Sequence, residues 1–294
     1  MIIEFLKAVL YGIVEGITEW LPVSSTGHLI ILEELLPLKI APQLGDTFAS
    51  EYFSMFEVVI QLGAILAVVV MFFSKLNPFA TSKNTAEKRS TWSLWVKVVV
   101  ASVPAALIGI VFDKILENVS GKDIDGWIYN WQTVAAALII YGVLFIVIER
   151  LYNKKTAVDD VHAISYKQAM LVGCFQAISI VPGTSRSGST ILGSRFLGIS
   201  RSAAAEFSFF LGIPAMAGAS LIRGLGFVKY VAETEISVPL SAWLVLAVAS
   251  IVAFCVSMAA IKFLMDFVKK HSFAPFGVYR IILGVIVIIY FAVR

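Results

Sequence analysis

Glu15 and Glu19 stand four residues apart in the stretch Gly12-Ile-Val-Glu15-Gly-Ile-Thr18-Glu19-Trp-Leu-Pro22-Val-Ser24-Ser25-Thr26-Gly27-His28, so a helix there puts both carboxylates on one face. Two like charges in a poorly hydrated setting repel, and the pair must share a proton, meet a cation or face water. A divalent ion resolves the conflict, and an all-oxygen site with Glu15 and Glu19 as ligands suits Mg2+ or Ca2+. Pro22 is expected to end the first helix, because it lacks a donor and biases Leu21 away from helical backbone. Ser24-Ser25-Thr26-Gly27 then supplies caps and a permissive glycine for a second helix. Capping explains one hydroxyl but not His28, which has the chemistry of a general acid, a general base or a nucleophile near neutral pH. The plainer alternative is that the glutamates snorkel at an interface and the histidine is structural.

A second polar island runs from Gln176 through Pro182-Gly183-Thr184-Ser185-Arg186-Ser187-Gly188-Ser189-Thr190. Gly183 and Gly188 frame a turn that can present backbone N–H groups at the start of a helix, a ready anion site. Arg186 adds the side chain best suited to gripping phosphate with two donors. Buried alone it would be costly, so it should face either a substrate phosphate or a glutamate of the first island. The spacing of Gly183, Gly188 and Thr190 approaches the nucleotide phosphate loop, but Ser189 occupies the place of the required lysine and no strand precedes it. The two islands are expected to form one site.

These islands interrupt a chain that is otherwise mostly apolar. Its 294 residues are 59% hydrophobic, with a mean hydropathy of +0.88, beyond the range of soluble domains. The formal charge of +3 is small and scattered, which argues against a nucleic-acid partner. Cys174 and Cys255 lie in apolar segments and are expected in the core, with neither a disulfide framework nor a Cys/His metal site. The start of the chain lacks the pattern of a cleavable signal peptide, so it is expected to belong to the fold.

Stretches at about 54–74, 93–113, 131–150, 204–224, 241–265 and 276–293 are apolar over roughly the 20 residues that a membrane-crossing helix needs. Two further regions, about 4–38 and 166–200, are broken in the middle and predict helical hairpins that re-enter the membrane to line a cavity. The expected fold is an all-α polytopic membrane protein with six transmembrane helices plus two re-entrant helical hairpins, forming a single integral membrane domain over 1–294. The order hairpin, three spans, hairpin, three spans is an internal repeat, with repeat one over 1–150, a cytoplasmic linker over 151–165 and repeat two over 166–294. An odd number of spans in each half forces an inverted topology, so the hairpins enter from opposite faces and meet near the midplane.

Short-loop lysine and arginine set the orientation. Lys75, Lys83, Lys88 and Arg89, then Arg150, Lys154, Lys155 and Lys167, then Lys269 and Lys270 fall on one side, read as cytoplasmic. The loops at about 114–130 and 225–240, with Lys114, Lys122 and Lys229 among Asp123, Asp125, Glu233 and Glu235, face outward. Both termini are then outside, and the first hairpin opens outward. Residues 75–92 read as a solvated linker. Glu57, Glu206 and Arg280 lie near span ends, where snorkelling or helix pairing explains them as well as chemistry does.

The motifs Glu15-Gly-Ile-Thr-Glu19-Trp-Leu-Pro-Val-Ser-Ser-Thr-Gly-His28 and Pro182-Gly-Thr-Ser-Arg-Ser-Gly-Ser-Thr190 resemble the two signatures of the bacterial undecaprenyl-diphosphatase (bacitracin-resistance) family. The resemblance spans the chain and includes Phe56-Glu-Val-Val-Ile-Gln-Leu-Gly-Ala64 and Phe276-Gly-Val-Tyr-Arg280. It implies an enzyme of the bacterial inner membrane that removes the terminal phosphate of a C55 polyprenyl diphosphate. The monophosphate product is the carrier lipid for peptidoglycan and other cell-wall polymers. Dependence on a divalent ion and an active site open to the periplasmic side are also implied, the latter in agreement with loop charge.

By that resemblance Glu15, Glu19, His28 and Arg186 match essential residues, while Ser25, Ser185, Ser187 and Thr190 match positions lining the site. Ser24, Thr26, Gly183 and Gly188 complete the expected substrate-binding set. The nucleophile is Ser25, His28 or an activated water, with Ser25 partnered by His28 as the preferred arrangement. The lipid substrate and the bilayer are the expected partners, and a homodimer is compatible with the sequence. A transporter or flippase is the competing class, since inverted repeats with broken helices also build carriers. Lipid phosphatases related to vanadium haloperoxidases are excluded, because Leu192 stands where their histidine is required.

Overall fold

The computed structural model describes residues 1–120, 128, 130–151 and 158–293. The expectations for Lys122, Asp123, Asp125, Lys154 and Lys155, and for residues 152–157 of the linker, lie outside the described residues. Among the described residues the fold is helical: α1 (Ile2–Thr18), α2 (Ser25–Leu35), α3 (Gly45–Met71), α4 (Thr85–Ser120), α5 (Trp131–Leu151), α6 (Tyr166–Ala177), α7 (Arg186–Phe196), α8 (Arg201–Thr234), α9 (Leu240–Lys270) and α10 (Ala274–Val293). The one pairing of extended backbone is an isolated bridge between Val158 and Ile199.

Six helices are long and apolar enough to cross a membrane, and they coincide with the six apolar stretches: α3, α4, α5, α8, α9 and α10. Several run further than the hydropathy windows. Helix α4 begins at Thr85, inside the segment expected to be a solvated linker, because Asn84 and Glu87 cap it reciprocally at 2.8 and 2.9 Å. Large apolar side chains such as Leu66, Val99, Ile108, Ile222 and Ile251 are exposed, as expected where lipid is the solvent. Cys174 and Cys255 are exposed as well, contrary to the expected core placement. An apolar neighbourhood in the chain does not distinguish protein contact from lipid contact.

Close helix packing rests on missing side chains, the usual device where lipid removes the hydrophobic drive between helices. Helix α1 lies against α9, where a Cβ on Gly12 would come 2.5 Å from the carbonyl oxygen of Ala249. Helix α6 lies against α4 in the same way through Gly173 and the Ala101 carbonyl. Helices α5 and α10 touch reciprocally, since a Cβ on either Gly142 or Gly277 would lie 2.6 Å from the other's carbonyl oxygen.

The broken regions are two short-helix pairs. Helix α1 ends at Thr18, with Glu19 still in helical backbone as its cap, and Pro22 blocks continuation. Helix α6, started by the Ser165–Gln168 capping box, ends at Ala177, and the chain turns through Pro182 and Gly183 into α7. Ser24 and Ser185 cap the helices that follow, each with positive φ (74° and 70°). Such backbone costs a non-glycine residue about 1–3 kcal/mol. Each serine offsets part of that cost by accepting the amide three residues on, from Gly27 at 3.2 Å and from Gly188 at 3.1 Å.

Ion pairs gather at one end of the bundle. Glu149, near the end of α5, accepts from Arg195 Nε at 3.0 Å and from Arg201 at 2.6 Å, and Lys75 pairs with Glu206 at 2.7 Å. At the other end the Tyr52 hydroxyl donates to the Ala242 carbonyl at 2.8 Å.

Candidate active site

The turns of the two short-helix pairs touch. Ser187 Oγ donates to the Glu19 carbonyl at 3.1 Å, and Arg186 Nη2 donates to Glu19 Oε1 at 2.8 Å. Glu19 Oε2 accepts from Ser25 Oγ at 2.7 Å. Both carboxylate oxygens of Glu19 are thus committed, one to the guanidinium of the second turn and one to the serine of the first. Arg186 also donates to the Ser208 carbonyl at 2.6 Å, lies over the Trp20 ring, and leaves Nε without a partner.

These groups border a cavity of about 200 Å3 lined by Glu19, Ser25, Thr26, Gly183, Ser185 and Arg186, together with Gln61, Gln176 and Ser179. At the start of α7 the Gly188 amide is taken by Ser185 Oγ, while the Arg186 amide has no partner within its own helix, so that amide and the guanidinium present donors where an anion would sit. An acceptor-rich ligand can therefore meet a guanidinium, a helix-start amide and a serine hydroxyl whose proton has a carboxylate waiting for it.

Other expected site residues take different places. Glu15 is fully buried, outside that cavity lining, and neither carboxylate oxygen has a hydrogen-bond partner. Ser24 serves its capping bond, and Thr190 Oγ1 donates to Ser208 Oγ at 2.7 Å, holding α7 to α8. Gly188 and Ser187 sit behind the turn rather than among the cavity residues. His28 and Ser25 form no hydrogen-bonded pair: the serine is taken by Glu19, and the imidazole is held elsewhere. His28 Nδ1 donates to the Ser24 carbonyl at 2.6 Å and Nε2 accepts from the Tyr279 hydroxyl at 2.7 Å. A carbonyl can only accept, which fixes the proton on Nδ1.

Several contributors escaped the reading of the sequence. Gln61 and Ser179 line the cavity; a glutamine in the middle of an apolar span was the available signal for the first. Gly212 has no chemistry of its own, yet a Cβ there would lie 2.8 Å from Arg186 Nη2, so its bareness makes room for the guanidinium. Arg280, for which the sequence leaves snorkelling, helix pairing and chemistry open, is completely buried and donates to backbone carbonyls of both turns.

A hard divalent cation fits this donor set in part. Among the described residues no cluster of three or more His, Cys, Asp or Glu could form a closed cage. The orphaned carboxylate of Glu15, one helical turn from Glu19, is the feature a cation would satisfy. Ions of this kind are commonly held by one or two carboxylates and completed by phosphate oxygens and water.

Fold and site together define an integral membrane protein in which the helix-start arginine of one turn is set against a serine and a carboxylate of the other. Over residues 8–286 the chain matches the family model described as "Bacitracin resistance protein BacA", and it belongs to that family. It is 48% identical over 294 residues to "Undecaprenyl-diphosphatase 1" of Clostridioides difficile (strain 630), covering 99% of this chain and 97% of that one. It is 49% identical to "Undecaprenyl-diphosphatase" of Acetivibrio thermocellus, covering 99% and 100% of the two chains. To the protein of that name from Enterococcus faecalis (strain ATCC 700802 / V583) it is also 49% identical, covering 97% and 96%.

Proposed function

We propose that this chain hydrolyses undecaprenyl diphosphate to undecaprenyl phosphate and inorganic phosphate, returning the carrier lipid to peptidoglycan and cell-wall synthesis and conferring bacitracin resistance. One observation carries the chemistry: Glu19 bridges Ser25 and Arg186 inside the cavity at the start of α7. Relatives matched over nearly their whole length are named undecaprenyl-diphosphatases. The transporter reading is not favoured.

In this reading the guanidinium and backbone amide of Arg186, with Ser185 beside them, hold the terminal phosphate. Ser25 Oγ attacks its phosphorus while the proton passes to Glu19 Oε2. The bond from that phosphorus to the bridging oxygen breaks, and polyprenyl phosphate leaves. Glu19 passes that proton to the departing polyprenyl phosphate; water then attacks the phosphorus of the Ser25 phosphoester, giving a proton to Glu19, which returns it to Ser25 Oγ as phosphate departs. Catalysis of this type consists mainly of positioning and charge neutralisation. Mg2+ or Ca2+ held by Glu15 and Glu19 would supply further neutralisation of phosphate charge. His28, fixed by Ser24 and Tyr279, orients the start of α2.

The prenyl tail takes the groove of about 820 Å3 between α4 and α8, lined by Ala106, Gly109, Ile110, Gly218 and Ile222. That groove shares Ala105, Gln176, Ser179, Ala215 and Ala219 with the phosphate cavity. The buried Gln176 Oε1, which has no partner, stands at the junction, where the lipid headgroup passes into its chain.

The two halves, 1–150 and 166–294, form an inverted repeat whose short-helix pairs are re-entrant hairpins. Ser24 and Ser185, Gly27 and Gly188, and Gly12 and Gly173 keep one offset along the chain and play matching roles. The reciprocal Gly142–Gly277 contact is what a two-fold relation produces. With the Glu149, Lys75 and Lys269 end in the cytoplasm by the positive-inside rule, both termini and the catalytic cavity face the periplasmic side.

The deciding experiment is phosphate release from C55 polyprenyl diphosphate by the purified protein in detergent, with and without Mg2+ or Ca2+. Metal-dependent release is expected. Folded protein that releases none under any of these conditions overturns the reading.

A further inference from the structure

Arg280 of α10 is 0% exposed, and among the described residues no carboxylate pairs with it. Its guanidinium is instead spent on main-chain oxygens from two distant segments. Nη1 donates to the Pro22 carbonyl at 3.2 Å, and Nη2 donates to Gly183 at 2.6 Å and Thr184 at 3.0 Å. It lies 5.3 Å over the Tyr141 ring, and a Cβ on Gly188 would stand 3.1 Å from Nη1. The cation is therefore pressed against the back of the α7 N-terminal turn, on the side away from the cavity.

Burying a charge without a counter-ion is costly, and a neutral side chain of similar size would fill the space more cheaply. Three carbonyls from two turns are what the charge obtains in return. We propose that Arg280 is a positioning residue that fastens the two polar turns into one site and lends its charge to the phosphate-binding turn through the Gly183 and Thr184 carbonyls. A hydrogen bond to a peptide oxygen strengthens the N–H of the same peptide as a donor. Here those N–H groups belong to Thr184, which donates to the Val181 carbonyl at 3.2 Å and so braces the turn, and to Ser185, which borders the phosphate cavity. The clasp to Pro22 holds the other turn, so that Ser25 and Glu19 stay in register with Arg186. The catalytic half of this inference rests on the phosphatase reading; the clasp itself does not.

Two measurements on R280M and R280K separate them. In the phosphate-release assay R280M should lower kcat about 10- to 100-fold while KM moves by less than about threefold. R280K, which keeps the charge without the planar fork, should recover part of that loss. Hydrogen exchange of the folded proteins in detergent reads the clasp without substrate: peptides covering 20–25 and 181–187 should both exchange faster in R280M, with α3 and α9 unchanged. If R280M does not fold, R280K carries both readouts, with the same direction and a smaller size.

A kcat per folded molecule within about twofold of wild type, or faster exchange in only one turn or in neither, overturns the proposal. A merely structural arginine would lower the melting temperature without splitting kcat from KM and without rescue by lysine. If wild-type protein releases no phosphate, the phosphatase reading falls and the exchange result alone decides the clasp.

Discussion

Arg186 Nη2 lies 2.8 Å from Glu19 Oε1 although the two residues are 167 positions apart in the chain. Their side chains are only 11% and 7% exposed, and breaking one partner of such a pair leaves the other charge buried. A substrate phosphate can replace the carboxylate as the anion that Arg186 meets, which frees Glu19 to accept the proton of Ser25. Under the proposed phosphatase reaction, the ion pair and the catalytic arrangement are successive states of one site.

Replacing Glu19 by glutamine should therefore lower kcat about 100-fold or more, since the amide cannot accept the serine proton. Arg186→Lys, which keeps the charge and loses the fork, should lower kcat/KM about tenfold or more. Initial rates of phosphate release measure both. Near-wild-type turnover by E19Q rules out the assigned proton acceptor.

Ser25→Ala should reduce turnover at least about 100-fold and abolish any covalent phosphate on the protein. Acid quenching of the wild-type reaction with terminally labelled lipid diphosphate, followed by peptide mapping, should place label on the peptide containing Ser25. An S25A protein with normal turnover excludes the serine route and leaves water or His28 as the nucleophile.

Gly212→Ala tests the space around Arg186. The added methyl would stand 2.8 Å from Nη2, displacing the guanidinium from Glu19 and from the phosphate position. A fall in kcat/KM of about tenfold, with little change in melting temperature, is expected from a displacement on the order of 1 Å.

Removing divalent ions with a chelator should stop phosphate release, and Mg2+ or Ca2+ should restore it. Glu15→Gln should raise the metal concentration needed for half-maximal rate about tenfold or more, as expected when a charged oxygen ligand is lost. An unchanged metal requirement in E15Q removes Glu15 from the metal site.

Gly218→Phe tests the tail groove, because a Cβ at Gly218 meets nothing within 4 Å and the ring would project into the channel. Hydrolysis of the C55 diphosphate should drop several-fold relative to a C15 diphosphate, read as the ratio of kcat/KM values. An unchanged ratio places the tail elsewhere.

Hydropathy and motif spacing were enough to locate the six long helices, the two breaks between short helices, and part of the set that meets at the centre: Glu19, Ser25, Thr26, Gly183, Ser185 and Arg186. Those features are local: a run of apolar residues, a proline, a hydroxyl beside a glycine. Tertiary structure decided which of those groups touch. Ser25 is bound to Glu19 instead of His28 because the α1 cap brings that carboxylate across the turn while the Ser24 carbonyl claims the imidazole. Cys174 and Cys255 face outward, since lipid and protein interior are equally apolar and sequence cannot tell one from the other. Gly212 and Arg280 contribute through space left empty and through carbonyls far along the chain. Such contributions exist only once the helices have been packed.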